Sequence, residues 1–250
     1  MQDEARVELY EGLCTTRAIR RYLPDPIPDA DLNRMLFAAT RAPSGSNRQP
    51  FRFLVLGQSP IGQRVRHLLG DAYRAAWATK REQDRYDHGS GAAPDSPKAR
   101  MAATMAHYVD HFEGAPAVVL ACMIRHRAPH PTEGASVYPA CQNLLLAARA
   151  LGYGGVMTMW HEAVADELRG VLDSPDDVLL AATITLGRPV GSHGPVRRRP
   201  LCELVYEDGW GSEAAWAVDP PGTAHAKAGP SRTSADDVRF VQSKPPGVAP

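Results

Sequence analysis

The stretch from Ala42 to Phe53 constrains the fold of this chain more than any other. It begins where Pro43 ends a predicted helix, continues through the small polar residues of Ser44–Asn47, and enters an apolar strand after Pro50. Proline cannot continue a helix, and Gly45 lets the backbone approach another group closely. The stretch therefore predicts a helix-to-strand connection whose loop offers hydrogen-bonding groups to a ligand.

Hydrophobic periodicity predicts a mixed fold around this connection. We predict helices over residues 4–13, 29–41, 61–86, 98–112, 136–151 and 163–172. We predict strands over residues 51–56, 117–124, 154–160 and 179–186. Because a few strands are mixed with several long helices around one core, the predicted class is α+β.

The composition of the chain changes near residue 211. From there to residue 250 Pro, Gly, Ala, Ser and Thr dominate and periodicity disappears, which is typical of a disordered or extended tail. An extended arm that wraps a partner subunit is the alternative. We therefore predict one domain over residues 1–210 and a tail over residues 211–250.

The distribution of charge indicates a small anionic ligand. The formal net charge of the 250 residues is zero, so no long-range field recruits nucleic acid or an anionic membrane. Arginine is nevertheless concentrated at Arg17, Arg20 and Arg21, and again at Arg197–Arg199. Such clusters in a neutral chain fit a small anion better than a polymer, although each cluster alone is equally consistent with solvated surface.

No pattern of metal ligands or of a membrane protein is present in the sequence. The four cysteines are widely spaced, and His107 and His111 lack the glutamate and third ligand of a helical zinc site. The N-terminus lacks the order of a signal peptide, and no apolar run approaches the roughly 20 residues of a membrane span. We therefore expect no metal and a cytoplasmic protein.

Four blocks of this sequence, taken in order, resemble the nitroreductase family. They are Arg17-Ala18-Ile19-Arg20, the loop Pro43–Phe51, the helix and strand over residues 135–159, and the segments Leu186–Pro189 and Arg197–Val205. The resemblance covers about residues 7–209, and residues 57–116 are its least diagnostic part. It implies a central, mainly antiparallel sheet flanked by helices, in a domain-swapped type of homodimer with FMN at the interface.

The resemblance also implies which residues bind the cofactor. Arg17, Ala18 and Arg20 correspond to a segment that contacts the flavin phosphate and ribityl chain, and Arg198, with Arg197 and Arg199 as alternatives, completes the phosphate site. The loop residues Ser44, Ser46, Asn47 and Gln49 contact flavin held mainly by the other subunit. Met157 and Thr158 contact the edge of the flavin ring. This chain has Thr16 where many relatives have Arg, so one charge is missing. It has Ala18 where many relatives have Ser, so one hydroxyl is missing.

The activity that the resemblance implies is ping-pong hydride transfer from NAD(P)H, through flavin N5, to a nitroaromatic, a quinone or another small acceptor. The cofactor carries this chemistry, so no catalytic side chain is assigned. Oxidation of a biosynthetic intermediate, reductive dehalogenation and flavin cleavage are alternatives on the same fold, and a non-catalytic flavin-binding protein is an alternative of another class. In the family, residues 60–112 correspond to a variable, lid-like region, whose aromatic residues either stack on substrate or pack a helical pair.

Overall fold

A computed structural model of the chain describes residues 7–223 and residue 225. Within them lie six α-helices and four strands. The helices are α1 (Leu9–Thr15), α2 (Asp29–Ala39), α3 (Pro60–Gln83), α4 (Pro97–Asp110), α5 (Tyr138–Ala150) and α6 (Ala165–Leu172). The strands are β1 (Phe51–Val55), β2 (Ala117–Ile124), β3 (Gly154–Thr158) and β4 (Val178–Gly187). The predicted α+β class is confirmed.

The four strands form one sheet in the order β1-β2-β4-β3, and every neighbouring pair is antiparallel. The central strands β2 and β4 are buried along most of their length, which explains their continuous apolar sequences. The strands β1 and β3 form the two edges of the sheet. The expectation of a mainly antiparallel central sheet is therefore confirmed.

Helices cover both faces of the sheet and bury a separate apolar cluster on each. On one face α2 packs against α5, and Met35 and Leu144 are fully buried. On the other face α3, α4 and α6 surround Leu69 and Leu168, which are also fully buried. Full burial of such a side chain contributes about 1.5–3 kcal/mol to stability. None of the described helices has the length and apolar character that crossing a bilayer would require.

The boundaries of the elements lie close to the predicted ones. Pro139 falls in the first turn of α5, where its missing N–H costs no hydrogen bond. Gly152 follows α5 with a φ of 80°, the left-handed conformation that often ends a helix. The predicted strand over residues 154–160 is wrong at its end, because a 3₁₀ turn over Trp160–Val164 follows β3. Residues 4–6 of the first predicted helix lie outside the described residues.

Four aromatic residues between positions 60 and 112 belong to the core. Tyr73, Trp77, Tyr108 and Phe112 are all buried. The rings of Tyr73 and Phe112 have centroids 4.5 Å apart, and Tyr86 meets Trp77 edge-on at 5.0 Å. These contacts agree with the packing interpretation of the aromatic residues. That residues 60–112 form a lid stays a prediction.

Residues 195–223 and 225 belong to a second unit, which is built mainly from turns. The indole nitrogen of Trp216 donates to the Glu207 carboxylate at 3.1 Å, and the amide of Leu201 donates to the Asp219 carboxylate at 3.0 Å. The predicted tail over residues 211–250 falls partly in this unit, and residues 224 and 226–250 lie outside the described residues. The domain boundary at residue 210 stays a prediction.

Candidate functional site

The arginine segment, Arg17–Arg21, runs along the outer edge of β3. The amide of Ile19 donates to the carbonyl of Gly155 at 3.0 Å, and the hydroxyl of Tyr22 donates to the carbonyl of Ile19 at 2.6 Å. Gly154 permits this close approach, because a Cβ at that position would lie 2.5 Å from a carbon of the Ile19 side chain. These contacts fix the backbone that carries three arginine side chains.

A cavity of about 620 Å³ opens beside the arginine segment, and we call it the arginine cavity. Its other walls are Pro97, Arg100, Met101 and Thr104 of α4 and the stretch Pro189–Ser192. Among the residues that the structure describes, four arginines line the cavity and no carboxylate does. The Nε atom of Arg20 is buried and has no hydrogen-bond partner among the described residues. Because an unpaired buried donor is costly, this atom favours a ligand that brings an acceptor oxygen.

The polar loop, Ser44–Gln49, has an unusual backbone. The φ angles of Ser46, Asn47 and Gln49 are 53°, 52° and 50°, in the left-handed region that residues other than glycine seldom adopt. Ser44 holds the loop from within: its hydroxyl accepts from the amide of Gln49 and its carbonyl from the amide of Asn47, each at 2.9 Å. Strain of this kind costs about 1–3 kcal/mol per residue and is typical of ligand-binding segments.

The arginine segment and the polar loop lie at opposite edges of the sheet. The segment lies alongside β3, whereas the loop leads into β1. The strands β2 and β4 lie between β1 and β3. Neighbouring strands are separated by about 4.8 Å, so the two edges are about 14 Å apart. The arginine cavity is lined by Arg17, Ala18 and Arg20 but by no residue of the polar loop. A single chain therefore does not bring the two predicted halves of the site together.

Met157 and Thr158 end the edge strand β3 with their side chains already in contact with the protein. The Thr158 hydroxyl lies 2.5 Å from the Tyr73 hydroxyl and 3.4 Å from the Thr183 carbonyl. Burial raises the pKa of Tyr73 to about 12, so its hydroxyl stays protonated at neutral pH. Met157 packs partly buried against the cluster formed by α2 and α5. The backbone of these two residues is therefore the part that suits a predicted ligand contact.

The cluster Arg197–Arg199 lies in the second unit of the chain. All three side chains are exposed, and Arg198 donates to the carbonyl of Arg197 at 2.9 Å. Arg198 also forms a backbone bridge with His225. None of the three arginines forms an ion pair within the described residues. That Arg198 completes a phosphate site, with Arg197 and Arg199 as alternatives, stays a prediction.

The other side chains that could bind a metal or act as nucleophiles have structural roles in the described part of the chain. Across residues 7–223 and residue 225, no group of three or more His, Cys, Asp or Glu side chains is arranged to hold a metal ion. His107 and His111 stack on each other with centroids 4.2 Å apart. Burial raises the pKa of the Cys122 thiol to about 11 and that of Cys141 to about 12. Both thiols are therefore protonated and unreactive at neutral pH.

Our reading of the sequence did not find the wall that α4 gives to the arginine cavity. Pro97, Arg100, Met101 and Thr104 are spaced by three, one and three positions, so they lie on one face of the helix. That spacing was a usable signal for a shared face. It does not say which segment the face meets, because this contact joins residues about 80 positions apart in the chain.

The chain belongs to the Nitroreductase family. The family model matches residues 14–188, which include the arginine segment, the polar loop and the whole sheet. The resemblance that the sequence motifs suggested is therefore confirmed.

Curated relatives agree with this assignment. An NADH dehydrogenase of Thermus thermophilus is 27% identical over 208 residues, which cover 76% of this chain and 90% of the relative. A protein of Archaeoglobus fulgidus, assigned as an NADH dehydrogenase/NAD(P)H nitroreductase, is 26% identical over 186 residues, which cover 73% of this chain and 86% of the relative.

Solved structures share the fold. A Desulfovibrio desulfuricans protein, assigned as a nitroreductase and solved in complex with FMN, has a TM-score of 0.59 and 27% identity, covering 81% of this chain and 98% of that chain. The NADPH:FMN oxidoreductase of Vibrio harveyi, solved with NAD⁺, has a TM-score of 0.58 and 19% identity, covering 80% and 76%. At the latter identity the likeness concerns the fold alone.

Proposed function

We propose that this chain is an FMN-dependent oxidoreductase that takes electrons from NADH or NADPH and passes them to a small acceptor. The observation that carries the proposal is the arginine cavity, which among the described residues has four arginines, no carboxylate and an unpartnered buried Nε on Arg20. A phosphate group supplies the oxygens that guanidinium groups bind bidentately. The relative solved with FMN supports the same cofactor, and the curated NADH dehydrogenase and NAD(P)H nitroreductase relatives support the same donor.

The residues of the site suit the parts of FMN. Arg17 and Arg20 would hold the phosphate, with the backbone of Ala18 between them. Arg100 on α4 adds a further guanidinium to the same cavity. The backbone of Met157 and Thr158 would meet the edge of the ring. We keep Arg198 as the residue of the second unit that completes the phosphate site.

We propose that two copies of the chain form a homodimer in which each flavin is bound by both. The support is the separation of the two halves, about 14 Å across the sheet at a strand spacing of about 4.8 Å. In this arrangement the arginine segment of one copy meets Ser44, Ser46, Asn47 and Gln49 of the other. A two-fold axis then produces two equivalent sites.

The role of the protein in this reaction is to bind and to orient. Bound FMN would supply the redox chemistry of the site, which is two-electron transfer from the nicotinamide to the acceptor. The side chains of the chain are assigned no proton transfer. Because donor and acceptor need the same face of one cofactor in turn, we propose ping-pong kinetics. Nitroaromatics and quinones are the proposed acceptors.

The experiment that tests this function begins with the visible spectrum of the purified protein. We expect a yellow protein that releases FMN on heating, is bleached by NADH or NADPH without oxygen, and regains its colour with a nitroaromatic or a quinone. Colourless protein that FMN does not reconstitute would defeat the proposal. A yellow protein that neither nicotinamide bleaches would be a flavin-binding protein of another role. Bleaching without reoxidation by these acceptors would direct attention to biosynthetic oxidation, dehalogenation or flavin cleavage.

A further inference from the structure

A second, smaller cavity lies at the β1 edge of the sheet, and we call it the loop cavity. Its volume is about 220 Å³, and it lies between the polar loop, the end of β2 and the turn that precedes α5. Binding sites for whole small molecules usually measure about 300–1,000 Å³. The loop cavity is therefore of a size for one end of a ligand and not for a complete cofactor.

The charges around the loop cavity are unbalanced. Arg48, Arg125 and Arg127 line it together with His126, whereas Glu133 is the only carboxylate among its lining residues in the described structure. Arg125 and Glu133 pair through two hydrogen bonds of 3.0 and 2.8 Å. The pKa of Glu133 is lowered, first by these bonds, and the more distant Arg127 lowers it further. Arg125 and Glu133 thus neutralise each other, which leaves two positive charges.

Arg48 and Arg127 carry that excess. Within residues 7–223 and residue 225, neither side chain forms an ion pair or a hydrogen bond. Both are exposed, so each guanidinium retains all of its donors for a ligand. Two guanidinium groups at one small cavity repel each other, and an anion between them removes that repulsion.

The backbone under Arg48 is held in place before any ligand binds. The amide of Gly45 donates to the hydroxyl of Ser136 at 3.2 Å, and the amide of Arg48 donates to the carbonyl of Gly45 at 3.1 Å. The flanking residues Asn47 and Gln49 have the left-handed conformation described above. A fixed backbone lowers the conformational entropy that binding must overcome.

We propose that the loop cavity binds an anionic group, a carboxylate or a phosphate, carried by a molecule that reacts at the flavin. This inference rests on the proposed function, in which the polar loop meets the flavin of the other copy. Arg48 belongs to that loop, so a ligand bound at Arg48 would lie near the flavin of the other copy. The anionic group has two sources, the 2′-phosphate of NADPH and a carboxylate of the electron acceptor.

Binding of two pairs of probes to the FMN-loaded protein tests the inference, and the members of each pair differ by one anionic group. One pair is 4-nitrobenzoate and 4-nitrobenzamide, and the other is NADP⁺ and NAD⁺, each titrated by calorimetry. The variant is Arg48→Gln combined with Arg127→Gln. The control is Arg169→Gln, which removes a partly exposed arginine of α6 that lines neither cavity. The visible spectrum of each variant confirms that it folds and retains FMN before any probe is added.

In one pair, we expect the double variant to bind the member with the additional anionic group about tenfold or more weakly, since hydrogen bonds to charged groups are the strong ones. The affinity of the double variant for the other member, and the affinity of the control variant for every probe, should stay within about twofold of the wild-type values, as expected for surface changes away from a contact. A loss confined to NADP⁺ identifies the 2′-phosphate as the source. A loss confined to 4-nitrobenzoate identifies a carboxylate of the acceptor.

Two results overturn the inference while the proposed function stands. One is a double variant that binds all four probes as the wild-type protein does. The other is an equal loss of affinity for the two members of each pair, which indicates a general change in shape. A protein that takes up no FMN defeats the proposed function, and the inference with it, and the spectrum identifies this case at the start.

Discussion

The two edges of the sheet offer different kinds of groups to a ligand. At the β3 edge, the arginine segment gathers charge around a large cavity, and bonds to Gly155 and from Tyr22 fix its backbone. At the β1 edge, the polar loop carries small side chains and stores strain at Ser46, Asn47 and Gln49. The first edge suits recognition of a phosphate by charge. The second suits recognition of a flat polar molecule by hydrogen bonds.

In the proposed homodimer, neither edge is a complete flavin site by itself. Charge attracts an anion but selects weakly among anions, whereas a loop with a fixed backbone selects for the geometry of its ligand. A second copy of the chain would unite the two properties at one ligand. Both halves of the proposed flavin site therefore depend on the homodimer.

Complementation between two defective variants should produce the largest effect. One variant carries Arg17→Ala with Arg20→Ala, and the other carries Ser44→Ala with Asn47→Ala. We expect neither alone to bind FMN tightly, because each damages one half of every site. After unfolding and refolding as an equal mixture, about one quarter of the sites should recover wild-type affinity, since half of the dimers are mixed and each has one intact site. Fluorescence titration with FMN counts these sites.

Refolding each variant separately is the control for complementation. Ultracentrifugation checks that dimers form in the mixture. If dimers form but no tight sites are recovered, the two halves of a site do not come from different copies, which would contradict the proposed shared site. A protein that stays monomeric yet binds FMN fully would contradict the homodimer itself.

Within the arginine segment, we expect Arg20→Ala to weaken FMN binding by about ten- to one-hundredfold. Charge-assisted hydrogen bonds contribute about 1.5–3 kcal/mol each, and the buried Nε of Arg20 is an unpaired donor in the described structure. Arg21→Ala is the comparison, because Arg21 lines the same cavity but is exposed to solvent, so its loss should weaken FMN binding less than the loss of Arg20. Fluorescence quenching of FMN measures both.

Equal affinities for Arg20→Ala and the wild-type protein would remove Arg20 from the site. Arg198→Ala, with Arg197→Ala and Arg199→Ala beside it, extends the same measurement to the second unit. If Arg198 completes the phosphate site, its variant alone should approach the loss seen for Arg20→Ala.

The polar loop was the easier half to predict from sequence. Its proline, glycine and small polar residues are contiguous, and their turn preferences act over a few positions. The long runs that became β2, β4 and α5 were equally clear, since burial on both faces leaves continuous apolar sequence. Local rules therefore determined the elements and the loop.

The surroundings of the arginine segment were harder to predict. The contact of Ile19 with Gly155 and the wall contributed by Arg100 join residues that are far apart in the chain. The interior position of the Thr158 hydroxyl depends in the same way on Tyr73, which comes from α3. Such contacts follow from packing across the whole sheet, which periodicity in one segment does not encode.

The close packing of β3 against β4 should make Gly155→Ala destabilising by about 1–3 kcal/mol, the usual cost of overpacking. A Cβ at Gly155 would lie 2.5 Å from the carbonyl oxygen of Thr185, which is backbone and cannot turn aside. Gly170→Ala in α6 is the matched control, because its Cβ meets nothing within 4 Å and alanine favours a helix. Urea unfolding measures both, and equal midpoints would show that β3 has room to move.

The smallest effect concerns the connection between α3 and α4, which leads to the wall that α4 gives to the arginine cavity. We expect deletion of residues 89–94 to leave FMN affinity within about twofold, because shortening a surface loop costs little stability. Ser96 is retained, since its hydroxyl accepts from the amide of Ala99 and begins α4. Met105 and Tyr108 anchor α4 in the core and should keep Arg100 at the cavity.

Steady-state kinetics of this deletion variant with a nitroaromatic and a quinone then test the lid. If the connection controls access, kcat or KM changes while FMN stays bound, as expected for a gating segment. Kinetics that match the wild-type protein with every acceptor would leave α4 as a fixed wall and restrict substrate selection to the two edges of the sheet.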